Sequence, residues 1–418
     1  MKAIELFSGA GGLTLGISKA GFSPEAIIEK NHDAMNTLLI NQGGNNNIPK
    51  HSKLHRMDVR DFSYESFGRS IILLAGGPPC QPFSQAGKHR GYRDERDMFP
   101  EVLRAVRHLE PKVILIENVR GLVREAFSDY FNYILLSLSL PFVAQSSGES
   151  WKDHFRRLRA CQKKGGIYGA TYEVQHTVLN ATDYGVPQNR HRLFIVGTRH
   201  DLNLSWKFPS PTHSIDRLIW DQWVTGEYWA RHGFSKRRIP EPPGILAPRI
   251  ERLARSGEPS TIAWRTVRDA FIGLPSPHRL STASSIPNHQ LYPGARPYPG
   301  HTGSTFDLPA KTLKAGNHGV PGGENMLALP DGSVRYFTIR ECARLQTFPD
   351  DYVFSGAWCA SVRQIGNAVP VDFAFAVANS LAQVLWPQLM KRKRHCIKPP
   401  TLPKSKYFEN NSNVRWAR

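Results

Sequence analysis

The stretch Glu5-Leu6-Phe7-Ser8-Gly9-Ala10-Gly11-Gly12-Leu13 decides the fold class. It follows the apolar pair Ala3-Ile4 and leads into a helical pattern that ends at Gly21, so it predicts a strand, a glycine-rich turn and a helix. In an open α/β sheet such a turn lies where ligands bind, and its glycines let a ligand approach the backbone. A dinucleotide fingerprint would need a glycine where Thr14 stands. A nucleoside cofactor without a pyrophosphate therefore fits the turn better.

The alternation of short apolar strands and helical patterns continues to about residue 200, which is typical of a mainly parallel α/β sheet. Strands are predicted at 3–7, 26–29, 54–57, 71–75, 113–117, 172–179 and 193–197, and helices at 12–20, 98–109 and 129–140. These seven strands would fill one doubly wound sheet. A polar stretch at 145–169 interrupts the rhythm and is interpreted as an insertion, partly helical around residues 151–161.

A change in composition at residue 203, where Pro and Gly become frequent, predicts four regions. Residues 1–202 would form the catalytic and cofactor-binding domain, and the Pro- and Gly-rich residues 203–335 a second, loop-rich domain. Residues 336–386 would return to complete the first domain, with helices at 338–347 and 372–385. The second of these helices is apolar almost throughout, as a buried helix should be. Residues 387–418 would be a basic, flexible tail.

Composition excludes several classes of protein. Apolar residues are 40% and charged residues 21% of the 418, as in soluble folded proteins. No apolar run reaches the roughly 20 residues that cross a bilayer, and Glu5 interrupts what would be a signal peptide. The five cysteines include no Cys-x-x-Cys pair, which argues against a disulfide framework or a zinc ribbon. We expect a cytoplasmic protein without a membrane segment.

The formal charge of +19 points to a polyanionic partner. Residues 203–335 carry 16 basic and 10 acidic side chains, and residues 387–418 carry 9 and 1. Solubility together with a basic tail would explain the same surplus, so charge alone does not establish nucleic acid binding.

Polar residues follow several predicted strands. Glu29, 20 residues after Gly9, is placed to bind ribose hydroxyls, and Asp58 could accept from an adenine amino group, although either acid could be a solvated strand end. Cys80 stands in the rigid turn Gly76-Gly77-Pro78-Pro79-Cys80, as a nucleophile or as an inert packed thiol. Glu117 closes an apolar strand, where burial would raise its pKa, unless it only caps the next turn.

Strand alternation places Gln188, Arg190 and Arg192 on one face. Such a face could serve a site, and an exposed strand end would explain the two arginines equally well.

Six segments in this order resemble the motif series of the DNA (cytosine-5)-methyltransferases of prokaryotic restriction–modification systems. They are Phe7-Ser8-Gly9-Ala10-Gly11-Gly12, Pro78-Pro79-Cys80-Gln81-Pro82-Phe83-Ser84, Glu117-Asn118-Val119, Gln188-x-Arg190-x-Arg192, Arg340-Glu341-Cys342-Ala343-Arg344-Leu345-Gln346 and Gln364-Ile365-Gly366-Asn367-Ala368-Val369-Pro370. The match spans residues 1–200 and 336–386. The insertion, the 203–335 region and the tail depart from it.

The resemblance implies a Rossmann-like α/β sheet that binds S-adenosylmethionine, with a second, smaller, loop-rich domain that recognises DNA. Cys80 would add to C6 of a cytosine flipped out of the duplex, and C5 would then take the methyl group. Glu117 would contact N3 and the amine, and Arg192, with Arg190 beside it, would hold the base. The cofactor contacts would be Phe7, Gly9, Gly11, Gly12, Leu13, Glu29, Asp58, Pro79, Asn367 and Val369. No metal is expected.

The basic 203–335 domain would then read the DNA sequence. Its arginines, including the cluster Lys236-Arg237-Arg238, suit guanine edges or phosphates. Its five tryptophans are interpreted mainly as core, and they are Trp206, Trp220, Trp223, Trp229 and Trp264. Double-stranded DNA is the expected partner of a monomer associated with the nucleoid, and a cognate restriction endonuclease would act separately.

Three other functions remain open from the sequence. A tRNA cytosine methyltransferase could use the same catalytic frame, although the long 203–335 domain and the basic tail favour duplex DNA. A catalytically silent DNA-binding regulator is opposed by the presence of Cys80, Glu117 and Arg192. A nicotinamide oxidoreductase is opposed by the incomplete glycine fingerprint.

Overall fold

The computed structural model describes residues 1–44, 48–79, 97–165, 169–277, 286–297, 302–316 and 325–394. The proposed nucleophile Cys80 lies outside the described residues, and so does the tail from residue 395 onward.

Among the residues that the structure describes, seven strands form the central sheet. They are β1 (Lys2–Leu6), β2 (Ser23–Glu29), β3 (Lys53–Arg56), β4 (Leu73–Gly76), β5 (Val113–Val119), β6 (Tyr172–Asn180) and β7 (His191–Arg199). Their order across the sheet is β3-β2-β1-β4-β5-β7-β6. Of these seven strands, β7 runs in the direction opposite to the other six, and it lies between β5 and β6. All seven predicted strands are confirmed, and the order reverses between β1 and β4, the switch point where such sheets bind ligands.

Helices cover both faces of this sheet. Those of the first 165 residues are α1 (Gly12–Lys19), α2 (His32–Ile40), α3 (Phe99–Leu109), α4 (Ser128–Ser139) and α5 (Trp151–Lys164). One core cluster lies between the sheet and α3, α4 and α5, and a second lies on the face of α1. The predicted helices at 12–20, 98–109 and 129–140 are confirmed, and α2 was not predicted.

The region after residue 203 consists of short elements. They are β8 (His213–Ser214), α6 (Ile215–Ile219), α7 (Glu227–Arg231), α8 (Ala247–Ser256), β9 (Ile262–Ala263), α9 (Val267–Ala270), β10 (Met326–Ala328) and β11 (Val334–Tyr336). Leu218, Tyr228 and Trp229 form a small core here. The interpretation of the tryptophans as core residues holds for Trp229 and for Trp206, but Trp206 packs in the core on the α1 face of the main sheet.

The chain returns to the sheet domain earlier than residue 336. The backbone N–H of Asn189 donates to Ala310 O at 2.8 Å, and that of Ala310 donates to Pro187 O at 2.9 Å. Ala310 and Leu313 also belong to a core cluster that contains residues of α1, β2 and α2. The predicted boundary at 335/336 is therefore too late.

Three helices complete the sheet domain: α10 (Ile339–Leu345), α11 (Trp358–Asn367) and α12 (Val371–Arg394). The helix predicted at 372–385 continues through Pro387 to Arg394, so the expected start of the tail at residue 387 is wrong. Over the described chain, one helical stretch, Trp358–Met390, is long and apolar enough to cross a membrane. Its most apolar window is 61% buried inside the fold, and because a buried core helix passes the same test, this is weak evidence of a membrane segment.

Candidate active site

A cavity of about 660 Å³ opens at the carboxyl ends of the central strands. Its walls come from the first turn, from the ends of β2 to β5, from the start of α2, and from α11 with the two residues that follow it. The predicted site residues that line it are Phe7, Gly9, Leu13, Glu29, Asp58, Pro79, Glu117, Arg192, Asn367 and Val369. Of the described site residues, Gly11, Gly12 and Arg190 do not line it.

Glu29 joins the glycine-rich turn to the end of β2. Its two carboxylate oxygens accept hydrogen bonds from the backbone N–H of Gly9 at 2.7 Å and of Asn31 at 2.6 Å. Phe7 and Gly9 have positive φ angles of 57° and 56°, which turn the chain sharply out of β1. The turn and the carboxylate therefore form one wall of the cavity.

Gly11 and Gly12 shape the cavity from behind. A Cβ on Gly12 would lie 2.1 Å from the carbonyl oxygen of Val369, and a Cβ on Gly11 would lie 2.8 Å from the Tyr352 hydroxyl. That hydroxyl donates to the Ala10 carbonyl at 2.7 Å. The two glycines were expected to contact the cofactor, but they do not line the cavity. They instead let the returning chain pack against the turn.

Asp58 lies at the end of β3 between two cations. Its carboxylate accepts from Arg60 at 2.7 Å and from Lys30 at 2.8 Å. The hydrogen bonds from Arg60, together with Lys30, hold the pKa of this carboxyl well below its usual range. Asp58 also caps the short helical turn Val59–Asp61. It is an ionised acceptor in the cavity wall.

Glu117 and Arg192 form a buried ion pair at the end of β5. Arg192 Nε lies 3.0 Å from Glu117 Oε1. Burial raises the pKa of Glu117, and Arg192 opposes that rise. The neighbouring Asn118 side chain donates to the Pro78 carbonyl at 3.1 Å, which fixes the turn that leads to Cys80. The cavity thus contains a carboxyl group that holds its proton to higher pH than an exposed one.

Arg190 is fully buried behind the cavity wall. Its guanidinium donates to the carbonyls of Leu313 at 3.1 Å, Gly366 at 2.7 Å and Ala368 at 2.9 Å. These bonds hold the returning chain against the sheet. The assignment of Arg190 as a catalytic residue is therefore corrected: it is a positioning residue, because its charged group faces backbone carbonyls and not the cavity.

Several lining residues were missed by sequence reasoning. They include Lys30, Asn31, Met57, Met98, Ala315 and Arg363. Lys30, Asn31 and Met57 could have been found, because they adjoin Glu29 and Asp58 in the chain. Ala315 and Arg363 reach the cavity only through long-range packing, and no local pattern marks them.

The lining fits a cationic nucleoside cofactor. Phe7, Leu13, Ile28 and Met57 offer apolar contact, and the cavity wall contains carboxylates at Glu29 and Asp58. Among the described residues, no group of three or more His, Cys, Asp or Glu side chains could hold a metal ion.

A family model described as C-5 cytosine-specific DNA methylase matches residues 1–140, 163–229 and 280–383. The chain belongs to this family. The methylase is 31% identical over 390 residues to the type II methyltransferase M.PspPI of Psychrobacter, a match that covers 91% of the chain and 79% of the relative. It is 32% identical over 389 residues to the type II methyltransferase M.Eco47II of Escherichia coli, a match that covers 91% of the chain and 79% of that relative.

The fold is that of known methyltransferase structures. A crystal structure described as a DNA modification methyltransferase encoded within an E. coli prophage matches with a TM-score of 0.55 and 21% identity, over 92% of this chain and 99% of that one. The predicted Rossmann-like fold class is confirmed. As a member of this family, the methylase transfers a methyl group from S-adenosylmethionine to C5 of cytosine in DNA.

Proposed function

We propose that this methylase acts on a cytosine flipped out of duplex DNA, through a temporary bond between Cys80 Sγ and C6 of the base. The thiolate adds to C6, and the electron pair displaced from the C5–C6 double bond lets C5 take the methyl group. S-adenosylmethionine supplies that methyl group as an electrophile on a sulfonium. Loss of the C5 proton then restores the double bond and breaks the bond between carbon and sulfur. Flipping costs a few kcal/mol, which pocket contacts offset.

The Glu117–Arg192 pair carries this proposal. A carboxyl group with a raised pKa can donate a hydrogen bond to N3 of the base, where negative charge grows as the thiolate attacks C6. Arg192, 3.0 Å away, keeps that carboxyl oriented towards the cavity. Pro79 lines the same cavity. Cys80 is the next residue in the chain after Pro79.

The proposed cofactor residues form two groups, apolar side chains and carboxylates. We assign Phe7 and Leu13 to apolar contact, the Glu29 carboxylate to the ribose and the Asp58 carboxylate to the adenine amine. All four line the cavity, and the low pKa of Asp58 keeps it an acceptor.

The region from 203 to 335 would read the sequence. Lys236, Arg237 and Arg238 are exposed there, and arginine and lysine side chains suit phosphates and guanine edges. The names of the relatives support a restriction–modification role, in which methylation protects host DNA from a separate endonuclease. The enzyme would act as a cytoplasmic monomer on the nucleoid.

The test is bisulfite sequencing of DNA and tRNA from a host without cytosine methylation that expresses this chain. We expect protected cytosines in one short DNA sequence. We expect no protected cytosines with Glu117→Gln. The control variant, Glu173→Gln, changes an exposed glutamate on β6 and should give full protection. Protection confined to tRNA, or none in DNA, would overturn the proposal.

A further inference from the structure

The helix α5 is an addition to the family pattern and is strongly basic. The family model does not match residues 141–162, which include most of Trp151–Lys164. Six lysines and arginines stand against one aspartate in this helix. None of them takes part in the cavity described above.

Four of these cations lie on one face. Lys152, Arg156, Arg159 and Lys163 follow the spacing i, i+4, i+7, i+11, which keeps them in line on a helix of 3.6 residues per turn. All four are exposed. Their Cα atoms span about 16 Å at about 1.5 Å per residue. We call these four residues the α5 stripe.

The opposite face of α5 is fixed to the domain. His154, Phe155 and Leu158 are buried there. One nitrogen of the His154 ring is 3.0 Å from the Tyr133 hydroxyl, and the other is 2.7 Å from the Val143 carbonyl oxygen. Since the helix is held in place, binding through the α5 stripe needs no further ordering of the helix backbone.

The first turn of α5 is connected to the wall of the 660 Å³ cavity by two contacts. The Trp151 ring centroid is 5.3 Å from that of Tyr130, and the Tyr130 hydroxyl donates to Asp97. The next residue in the chain, Met98, lines the cavity. The residue before Lys152, the first member of the α5 stripe, is therefore connected to the cavity wall through Tyr130 and Asp97.

We propose that the α5 stripe binds the phosphate backbone of duplex DNA beside the target cytosine. Charge complementarity favours this occupant, because duplex DNA carries about one negative charge per 1.7 Å of helix axis. Arg156 is paired with Asp153, whereas Lys152 and Arg159 lie over the Trp151 and Phe155 rings with their charges exposed. Such contacts add affinity but do not choose the sequence. This inference rests on the proposed action on duplex DNA.

The test compares two triple variants by the salt dependence of DNA binding. Lys152→Gln, Arg159→Gln and Lys163→Gln remove three of the four charges of the α5 stripe and leave Arg156, which is paired with Asp153. Lys2→Gln, Lys50→Gln and Lys53→Gln remove as many exposed charges elsewhere, on or near β1 and β3. We expect the stripe variant to bind cognate duplex about tenfold more weakly, and the slope of log K against log salt to fall by about 2 to 3. The control variant should keep the slope of the wild type.

Further measurements separate the outcomes. The stripe variant should methylate the same sequence at an unchanged kcat with saturating DNA. If it fails to fold, Lys152→Glu alone replaces it. An unchanged salt slope in a folded variant would overturn the proposal, and so would a loss of binding confined to anionic lipid vesicles. If the wild type neither binds nor methylates DNA, the proposed function fails and not only the α5 stripe.

Discussion

Arg190 and Arg192 are separated by one residue and have different environments. Arg190 donates to three backbone carbonyls of the returning chain, whereas Arg192 pairs with Glu117 in the cavity wall. A hydrogen bond to a charged group contributes about 1.5–3 kcal/mol, so Arg190→Lys should lower the free energy of unfolding by about 2–4 kcal/mol. Arg192→Lys should instead lower kcat by about 10- to 100-fold, through a misplaced Glu117.

Urea unfolding and single-turnover methyl transfer measure the two effects. Equal losses of stability in both variants would contradict the division between an arginine that holds the returning chain and one that orients Glu117.

Glu5 predicts a pH dependence of stability. It is fully buried in β1, and burial raises its pKa from 4.5 to about 8. Hydrogen bonding from Thr14, through its side chain and its backbone, opposes this rise only in part. Between pH 4.5 and 8 the folded chain therefore holds a proton that the unfolded chain has lost, and stability falls by about 1.4 kcal/mol per pH unit as pH rises.

Glu5→Gln removes this titration. The Tm of the wild type should therefore fall more between pH 5.5 and pH 8 than that of Glu5→Gln. The exposed Glu65→Gln should behave like the wild type. The same fall in Tm in all three proteins would rule out Glu5 as the source.

Sequence reasoning found the cavity residues that lie at or near the carboxyl ends of strands. Glu29, Asp58 and Glu117 could be placed because the carboxyl ends of parallel strands share one edge of a sheet. Arg190 could not be placed correctly, because β7 begins only at His191 and strand alternation does not extend to it. Its partners come from a part of the chain more than 100 residues away.

At the scale of elements, α1 and α12 pack unusually closely. A Cβ on Gly16 would lie 2.4 Å from the Ala374 Cβ and 2.8 Å from the Val371 carbonyl oxygen. Gly16→Ala should therefore overpack this contact and lower the free energy of unfolding by about 1–3 kcal/mol. Gly244→Ala is the matched control, because nothing lies within 4 Å of its Cβ position. Equal stabilities of the two variants would show that the helices can separate freely.

The strands could be predicted better than the helix ends. Buried parallel strands are short apolar runs bounded by turn residues, and β1, β2, β4 and β5 stand out in this way. Helix α2 was missed because Leu39 and Ile40 extend its apolar run onto an exposed surface and obscure its helical period. Helix α12 continues past Leu385 and includes Pro387. Proline usually ends or kinks a helix, so the sequence predicts an earlier end.

At the scale of the whole molecule, part of the proposed recognition region has its ends side by side. His213 in β8 pairs with Ile262 in β9, and Ser214 pairs with Ala263. Residues 213–263 can therefore be exchanged with less strain than the whole of 203–335, part of which packs with the main sheet. Exchange with the matching segment of a relative should change the methylated sequence and keep methyl transfer.

Bisulfite sequencing reads the result of the exchange. A chimera of residues 141–165 is the control and should keep the original sequence. A 213–263 chimera that still methylates only the original sequence would contradict the role given to this region.

The covalent step through Cys80 is the central claim, and a fluorine at C5 of the target cytosine tests it most directly. Cys80 can add and the methyl group can transfer, but fluorine cannot leave C5 as a cation, so the bond between enzyme and DNA persists. We predict a denaturation-resistant complex that needs S-adenosylmethionine, is absent in Cys80→Ser and is retained in Cys161→Ala. Normal turnover on the fluorinated duplex without a trapped complex would contradict the account.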